Sequence, residues 1–157
     1  LPSGSTCRIE FAGDVTDKEY NPPCAPTGGM EDTDDIGDCT AGDLSAFSFG
    51  TEMIGFDSSV PGNNAVNVAV TRRVLAVLYT APPDPASIPG ATVTVMQGAT
   101  ARTDFTVARN TVNPLRVEVT MAANLVANTM YTVSISNLRD SFGATIAPAT
   151  FSFTTAP

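Results

Sequence analysis

Leu115-Arg116-Val117-Glu118-Val119-Thr120-Met121 places an apolar residue at every odd position and a polar one at every even position. A period of two marks a strand with one buried face, because successive side chains point to opposite sides of a sheet. Working outward, Tyr131-Thr132-Val133-Ser134-Ile135-Ser136 repeats the alternation, and Phe151-Ser152-Phe153-Thr154 closes the chain with it. Val93 and Val95 alternate with Thr92 and Thr94 in the same way. Val74-Leu75-Ala76-Val77-Leu78-Tyr79 is apolar on both faces, which predicts a central strand.

Turn formers separate these runs: Pro61-Gly62-Asn63-Asn64, Pro82-Pro83-Asp84-Pro85, Pro89-Gly90, Arg109-Asn110 and Asp140-Ser141-Phe142-Gly143. With further strands at Met53–Asp57 and Phe105–Val107 the count reaches about seven. The expected fold is all-β, an immunoglobulin-like antiparallel β-sandwich, because many short strands with frequent turns describe that class. Val77, Tyr131, Val133, Ile135, Phe151 and Phe153 are the expected core, and Pro85-Ala86-Ser87 is the one place for a short helix.

Charge divides the chain. Residues 1–50 hold ten of the sixteen acidic residues against Arg8 and Lys18, a net of −8, while residues 51–157 hold six acids and six arginines. All three cysteines also lie in the first stretch. The division expected is an acidic, cysteine-containing N-terminal extension over 1–52 and a sandwich domain over 53–157.

Composition excludes several functions. A net charge of −8 argues against nucleic acid, since phosphate binding needs a basic surface. The absence of histidine removes the commonest general base and the commonest transition-metal ligand together. The absence of tryptophan weakens any sugar-stacking platform. No apolar run approaches the length of a transmembrane helix, so membrane insertion is not expected. The chain opens on Leu1-Pro2-Ser3 rather than Met; removal of a leading segment or a boundary within a longer protein would each give that start.

The residues also carry a family resemblance. Phe56-Asp57-Ser58-Ser59-Val60-Pro61, Val66-Asn67-Val68 and Val74–Tyr79 followed by Pro82–Ser87 come in the order found in the bacterial Ig-like domain of surface-layer and adhesin-type proteins. Leu125–Val133 resembles that family's L-x-x-x-T-x-Y-x-V segment, Asp140–Gly143 its D-x-x-G turn, and Phe151–Thr155 its closing F-x-F-T-T strand. Arg72-Arg73 departs from it, since small or apolar residues are usual there. The resemblance implies a fold and an exported, cell-surface setting; it implies no reaction. Tyr131, Phe151 and Phe153 then serve the core, and Asp140 shapes its turn by accepting nearby amides.

In an exported chain the cysteines should pair. Cys24 and Cys39 flank the acidic loop and form the expected disulfide, leaving Cys7 free or bonded to another chain. Zinc fits poorly, because the spacings are wide and no C-x-x-C pair exists. Glu31, Asp32, Asp34, Asp35 and Asp38 place five carboxylates in eight residues, with Asp43 close behind. Asp32, Asp34 and Gly37 follow the D-x-D-x-x-G start of a calcium loop, but Ile36 stands where a ligand belongs and no Glu follows at the required spacing. A looser calcium site on Asp32, Asp34, Asp35 and Asp38 remains, against a solvated acidic loop as the alternative.

Two segments of the extension alternate like strands, Arg8–Phe11 and Ala46–Gly50, and Phe47-Ser48-Phe49 repeats the Phe-Ser-Phe of the closing strand. They either pack on their own domain or add to a sheet edge of a neighbour, with Ile9, Phe11, Phe47 and Phe49 in contact. The function expected is a non-enzymatic exported bacterial structural module of a surface layer, adhesin or fibre, with protein partners through self-association or neighbouring domains. The alternative is a calcium-dependent extracellular binding module for a carbohydrate or protein. An enzyme would have to use carboxylates within 31–43, and a loop of solvated carboxylates gives no means of separating two pKa values.

Overall fold

In the computed structural model, which describes residues 1–8 and 48–157, the runs at 74–79, 92–95, 116–121, 131–136 and 151–154 all fall in strands. The chain divides into two compact units, Leu1–Ser3 with Glu52–Pro157, and Gly4–Thr51. The smaller holds β1 (Thr6–Arg8) and β2 (Ser48–Gly50). The larger holds β3 (Phe56–Val60), β4 (Ala65–Val68), β5 (Val74–Tyr79), β6 (Thr92–Gln97), β7 (Thr100–Arg102), β8 (Phe105–Arg109), β9 (Arg116–Met121), β10 (Met130–Ser136) and β11 (Ala149–Thr155). A 3-10 turn over Pro85–Gly90 links β5 to β6. Among the described residues no helix is long and apolar enough to cross a membrane.

The nine strands of the larger unit form two sheets, β4-β11-β10-β6-β7 and β3-β5-β9-β8. Register explains the core. Tyr131 stands opposite Phe153 and Val133 opposite Phe151 on one side, while Val133 stands opposite Val95 on the other. From the second sheet come Leu75, Val77, Val117, Val119 and Met121. All six expected core residues are at most 1% exposed. Burying such a side chain stabilises by about 1.5–3 kcal/mol. The rings of Tyr131 and Phe153 stack with centroids 5.4 Å apart, and Phe153 continues the stack to Phe151 at 6.3 Å.

β5 lies between β3 and β9, as its two apolar faces predict. Ala76, on its outer face, stands opposite Glu118, and Leu78 stands opposite Arg116. Arg116 and Glu118 form an ion pair at 2.9 Å, so the stems of two charged side chains lie beside the apolar outer face.

Three features differ from the expectation. The sandwich has nine strands, not seven, because β4 and β7 join its edges. β4 contains Asn67 in the left-handed region at φ 56, and β7 has three residues after a hairpin turn at Gly98, so neither gives a long alternating run. The first strand is Phe56–Val60, not Met53–Asp57: Ser59 turns inward and is buried although polar. Finally, β4 pairs parallel with β11, so the sandwich is not wholly antiparallel.

Candidate functional site

The smaller unit shows a two-stranded ribbon pairing Thr6 with Gly50, Cys7 with Phe49 and Arg8 with Ser48. The Thr51 amide donates to the Ser5 carbonyl at 2.8 Å and continues the ladder. Phe49 is 44% exposed, and Cys7 is a half-buried free thiol. The other expected site residues lie outside the described residues: Ile9, Phe11 and Phe47, the carboxylates Asp32, Asp34, Asp35 and Asp38, and the pair Cys24 and Cys39. Among the described residues no group of three or more cysteine or carboxylate side chains is gathered to hold a metal ion.

In the larger unit the D-x-x-G turn does more than close on itself. Asp140 Oδ1 accepts the amides of Phe142 at 2.9 Å and Ala144 at 2.8 Å, and Gly143 supplies the φ of 87 that the turn requires. Asp140 Oδ2 accepts the amide of Ser3 at 2.8 Å. These donors, the Ser3 amide foremost, hold the carboxyl down at about 2. The neighbouring-amide role was legible in the sequence; the bond to Ser3 was not.

At the opposite end of the sandwich the Tyr131 hydroxyl accepts the Val126 amide at 2.9 Å and donates to Gln97 Oε1 at 3.2 Å. Gln97 Oε1 also accepts from Arg102 at 2.9 Å, and Arg102 grips the Asp104 carboxylate with Nε and Nη2. The Arg102 guanidinium holds the Asp104 carboxyl below its ordinary value. Arg73 donates Nε to the Met121 carbonyl at 2.9 Å, so half of the departing Arg72-Arg73 pair anchors a strand end.

The 3-10 turn and the β10–β11 connection enclose an open cleft of about 450 Å³, lined by Ser87, Asn137, Arg139 and Thr145 with Ala86 and Gly90. Asp84 starts the 3-10 turn by accepting the Ala86 amide at 2.9 Å, and its own amide donates to the Arg139 carbonyl at 2.8 Å. Arg139 donates Nη1 to the Gly143 carbonyl at 2.7 Å, and Asn137 donates Nδ2 to Thr92 Oγ1 at 2.8 Å. No sequence motif signals this cleft, because Ser87 and Arg139 are 52 positions apart and meet only through the fold.

Two packed sheets around a Tyr–Phe core, with connecting loops gathered at both ends, define an immunoglobulin-like sandwich. The chain belongs to the bacterial Ig-like domain family, whose model matches residues 50–155. Among solved structures it is similar to PcoC, a methionine-rich copper resistance protein from Escherichia coli, with TM-score 0.54 and 16% identity over 66% of this chain and 98% of that one. CopC from Methylosinus trichosporium OB3b gives TM-score 0.53 and 15% identity over 66% of this chain and 94% of that one. Domains 1–6 of the surface layer protein SbsC give TM-score 0.48 and 24% identity over 66% of this chain and 14% of that one. At these identities the likeness is one of fold. Comparison with curated proteins yields no match.

Proposed function

We propose that the protein is a non-catalytic, exported bacterial structural module, a building block of a cell-surface or extracellular assembly. Membership of the bacterial Ig-like family carries this reading. It is supported by what the polar side chains of the sandwich do: Asp140, Tyr131, Arg102 and Asp104 are engaged in holding loops and strand ends. The body also has a long-axis polarity. Ser3 is bound at the β10–β11 end, while Ala156 is bound to Val68 and Asn128 at the other.

Assembly in this reading runs through the acidic extension over 1–52, one of whose strands adds to a sheet edge of a neighbouring copy. Of the four edges, β7 has three residues, β4 has four, and β3 carries a register shift between Phe56 and Ser58. Short and irregular edges resist strand addition. β8 is five residues long and paired without a register shift, which favours it as the acceptor edge, although the 3-10 turn packs beside it. A calcium-binding loop at Asp32, Asp34, Asp35 and Asp38 is the second reading, favoured by five carboxylates in eight residues.

The test is the mass of the full chain in solution at rising concentration, with and without calcium, together with amide exchange along Phe105–Arg109. Growth in mass with slowed exchange at β8 is expected. A chain that stays monomeric in both conditions overturns assembly and leaves a spacer domain; calcium binding without growth favours the second reading.

A further inference from the structure

We propose that the cleft between the 3-10 turn Pro85–Gly90 and the β10–β11 connection is a binding site for an acidic saccharide, with Arg139 receiving its carboxylate. The proposal does not rest on the assembly reading. Arg139 uses one nitrogen, Nη1, to donate to the Gly143 carbonyl at 2.7 Å. That bond fixes the guanidinium and leaves most of its five donors for a ligand. The ion pairs found among the described residues are Arg102–Asp104 and Arg116–Glu118, and Arg139 is in neither.

Neither Asp84 nor Asp140, on the adjoining loops, forms an ion pair with it. Asp84 accepts the Ala86 amide, and Asp140 accepts those of Ser3, Phe142 and Ala144. Both are committed to backbone donors within the loops that form the cleft. An arginine positioned by a carbonyl and outside any ion pair can take an incoming carboxylate with two parallel bonds through its planar fork.

The rest of the lining selects the class of ligand. The Ser87 hydroxyl donates to the Asp84 carbonyl at 2.8 Å and Asn137 Nδ2 to Thr92, so Ser87 Oγ and Asn137 Oδ1 remain as acceptors while Thr145 offers a hydroxyl. Sugar hydroxyls, each donor and acceptor, match such groups. Of its apolar lining, Ala86 is small and Leu138 is buried in the core, which leaves little for the side-chain anchor that peptide recognition uses. Its volume of about 450 Å³ admits one or two sugar rings. No aromatic ring lines it, so the carboxylate contact dominates and affinity should be roughly millimolar.

The experiment uses the full chain, isotope-labelled, titrated with tri-galacturonate and with neutral tri-galactose while amide shifts are followed. Shifts centred on Ser87, Asn137, Arg139 and Thr145 with the acidic trimer, and none with the neutral one, are expected. Arg139→Gln should weaken binding by about tenfold or more, the amount one lost charge-assisted pair accounts for. Arg109→Gln should leave it unchanged, since Arg109 donates to the Pro83 carbonyl away from this cleft. Thr145→Val, which keeps the Gly143 anchor, provides a second weakened variant if Arg139→Gln fails to fold. Equal binding of the neutral trimer, shifts located elsewhere, no binding, or preference for a poly-glutamate peptide would each overturn the proposal.

Discussion

Asp140 and Ser3, 137 positions apart, are joined by a 2.8 Å hydrogen bond from the Ser3 amide to the Asp140 carboxylate. The same carboxylate organises its own turn through Phe142 and Ala144. One side chain therefore fixes both the β10–β11 connection and the backbone at Ser3. The residue is 3% exposed, so removing the carboxylate leaves three amides in need of a partner.

Replacing Asp140 by Asn should lower the melting temperature at neutral pH, and the pH dependence identifies the cause. The folded carboxyl lies at about 2, below the ordinary 3.8. A depressed value means its contribution is fully present above about 3.8 and is lost as pH falls through about 2. The gap between the natural protein and Asp140→Asn should be widest near pH 7 and close toward pH 2. Thermal unfolding of both chains across that range checks it; a gap that does not change with pH would exclude the charge as its source.

Two buried tyrosines should respond oppositely to loss of the hydroxyl. Tyr131→Phe leaves the Val126 amide without its acceptor and takes one of two donors from Gln97 Oε1, which keeps Arg102, costing about 1–3 kcal/mol. The Tyr79 hydroxyl is buried without a hydrogen-bond partner, and burial pushes its pKa up to about 12. Tyr79→Phe should therefore be neutral or stabilising, and should remove a phenol that ionises near pH 12 in an alkaline absorbance titration. Denaturant unfolding of the two variants side by side decides the contrast.

Phe153→Ala should cost about 3–5 kcal/mol, the usual loss for a buried phenylalanine. Phe153 is 1% exposed and stacks on both Tyr131 and Phe151, so a cavity there has little room to collapse. A shift in unfolding midpoint at unchanged slope is expected; a cost under 1 kcal/mol would place the ring outside the core.

Phe153 was legible because its strand alternates and the inward positions Ala149, Phe151 and Phe153 are apolar. The same logic missed Ser59, a polar residue on an inward face, and thereby displaced the first strand by three residues. β4 was hidden by Asn67, whose left-handed backbone breaks the run, and β7 by its length of three residues. The cleft was illegible for a different reason. Asp140 drew the reading toward its turn, whereas the neighbouring Arg139 acquires a role only when the fold brings Ser87 and Thr145 beside it. Local periodicity reports burial; it does not report which distant loops meet.

The cysteines give the last expected outcome. In the ribbon of the smaller unit Cys7 stands opposite Phe49, so the ladder offers it no sulfur partner across the strand. Cys24 and Cys39 flank the acidic run, and a bridge between them closes a ring of a size that stabilises by about 3 kcal/mol in the chain-entropy model. Holding the carboxylates of Asp32, Asp34, Asp35 and Asp38 in one short loop also raises their mutual repulsion, which calcium would relieve. Protein isolated from an oxidising compartment should thus contain a Cys24–Cys39 bridge and a half-exposed Cys7 that reacts with maleimide unless another chain has taken it. Proteolysis without reduction, followed by mass measurement, reads all three sulfurs at once. A Cys7–Cys24 or Cys7–Cys39 peptide would replace the pairing, and three free thiols would contradict the exported setting itself.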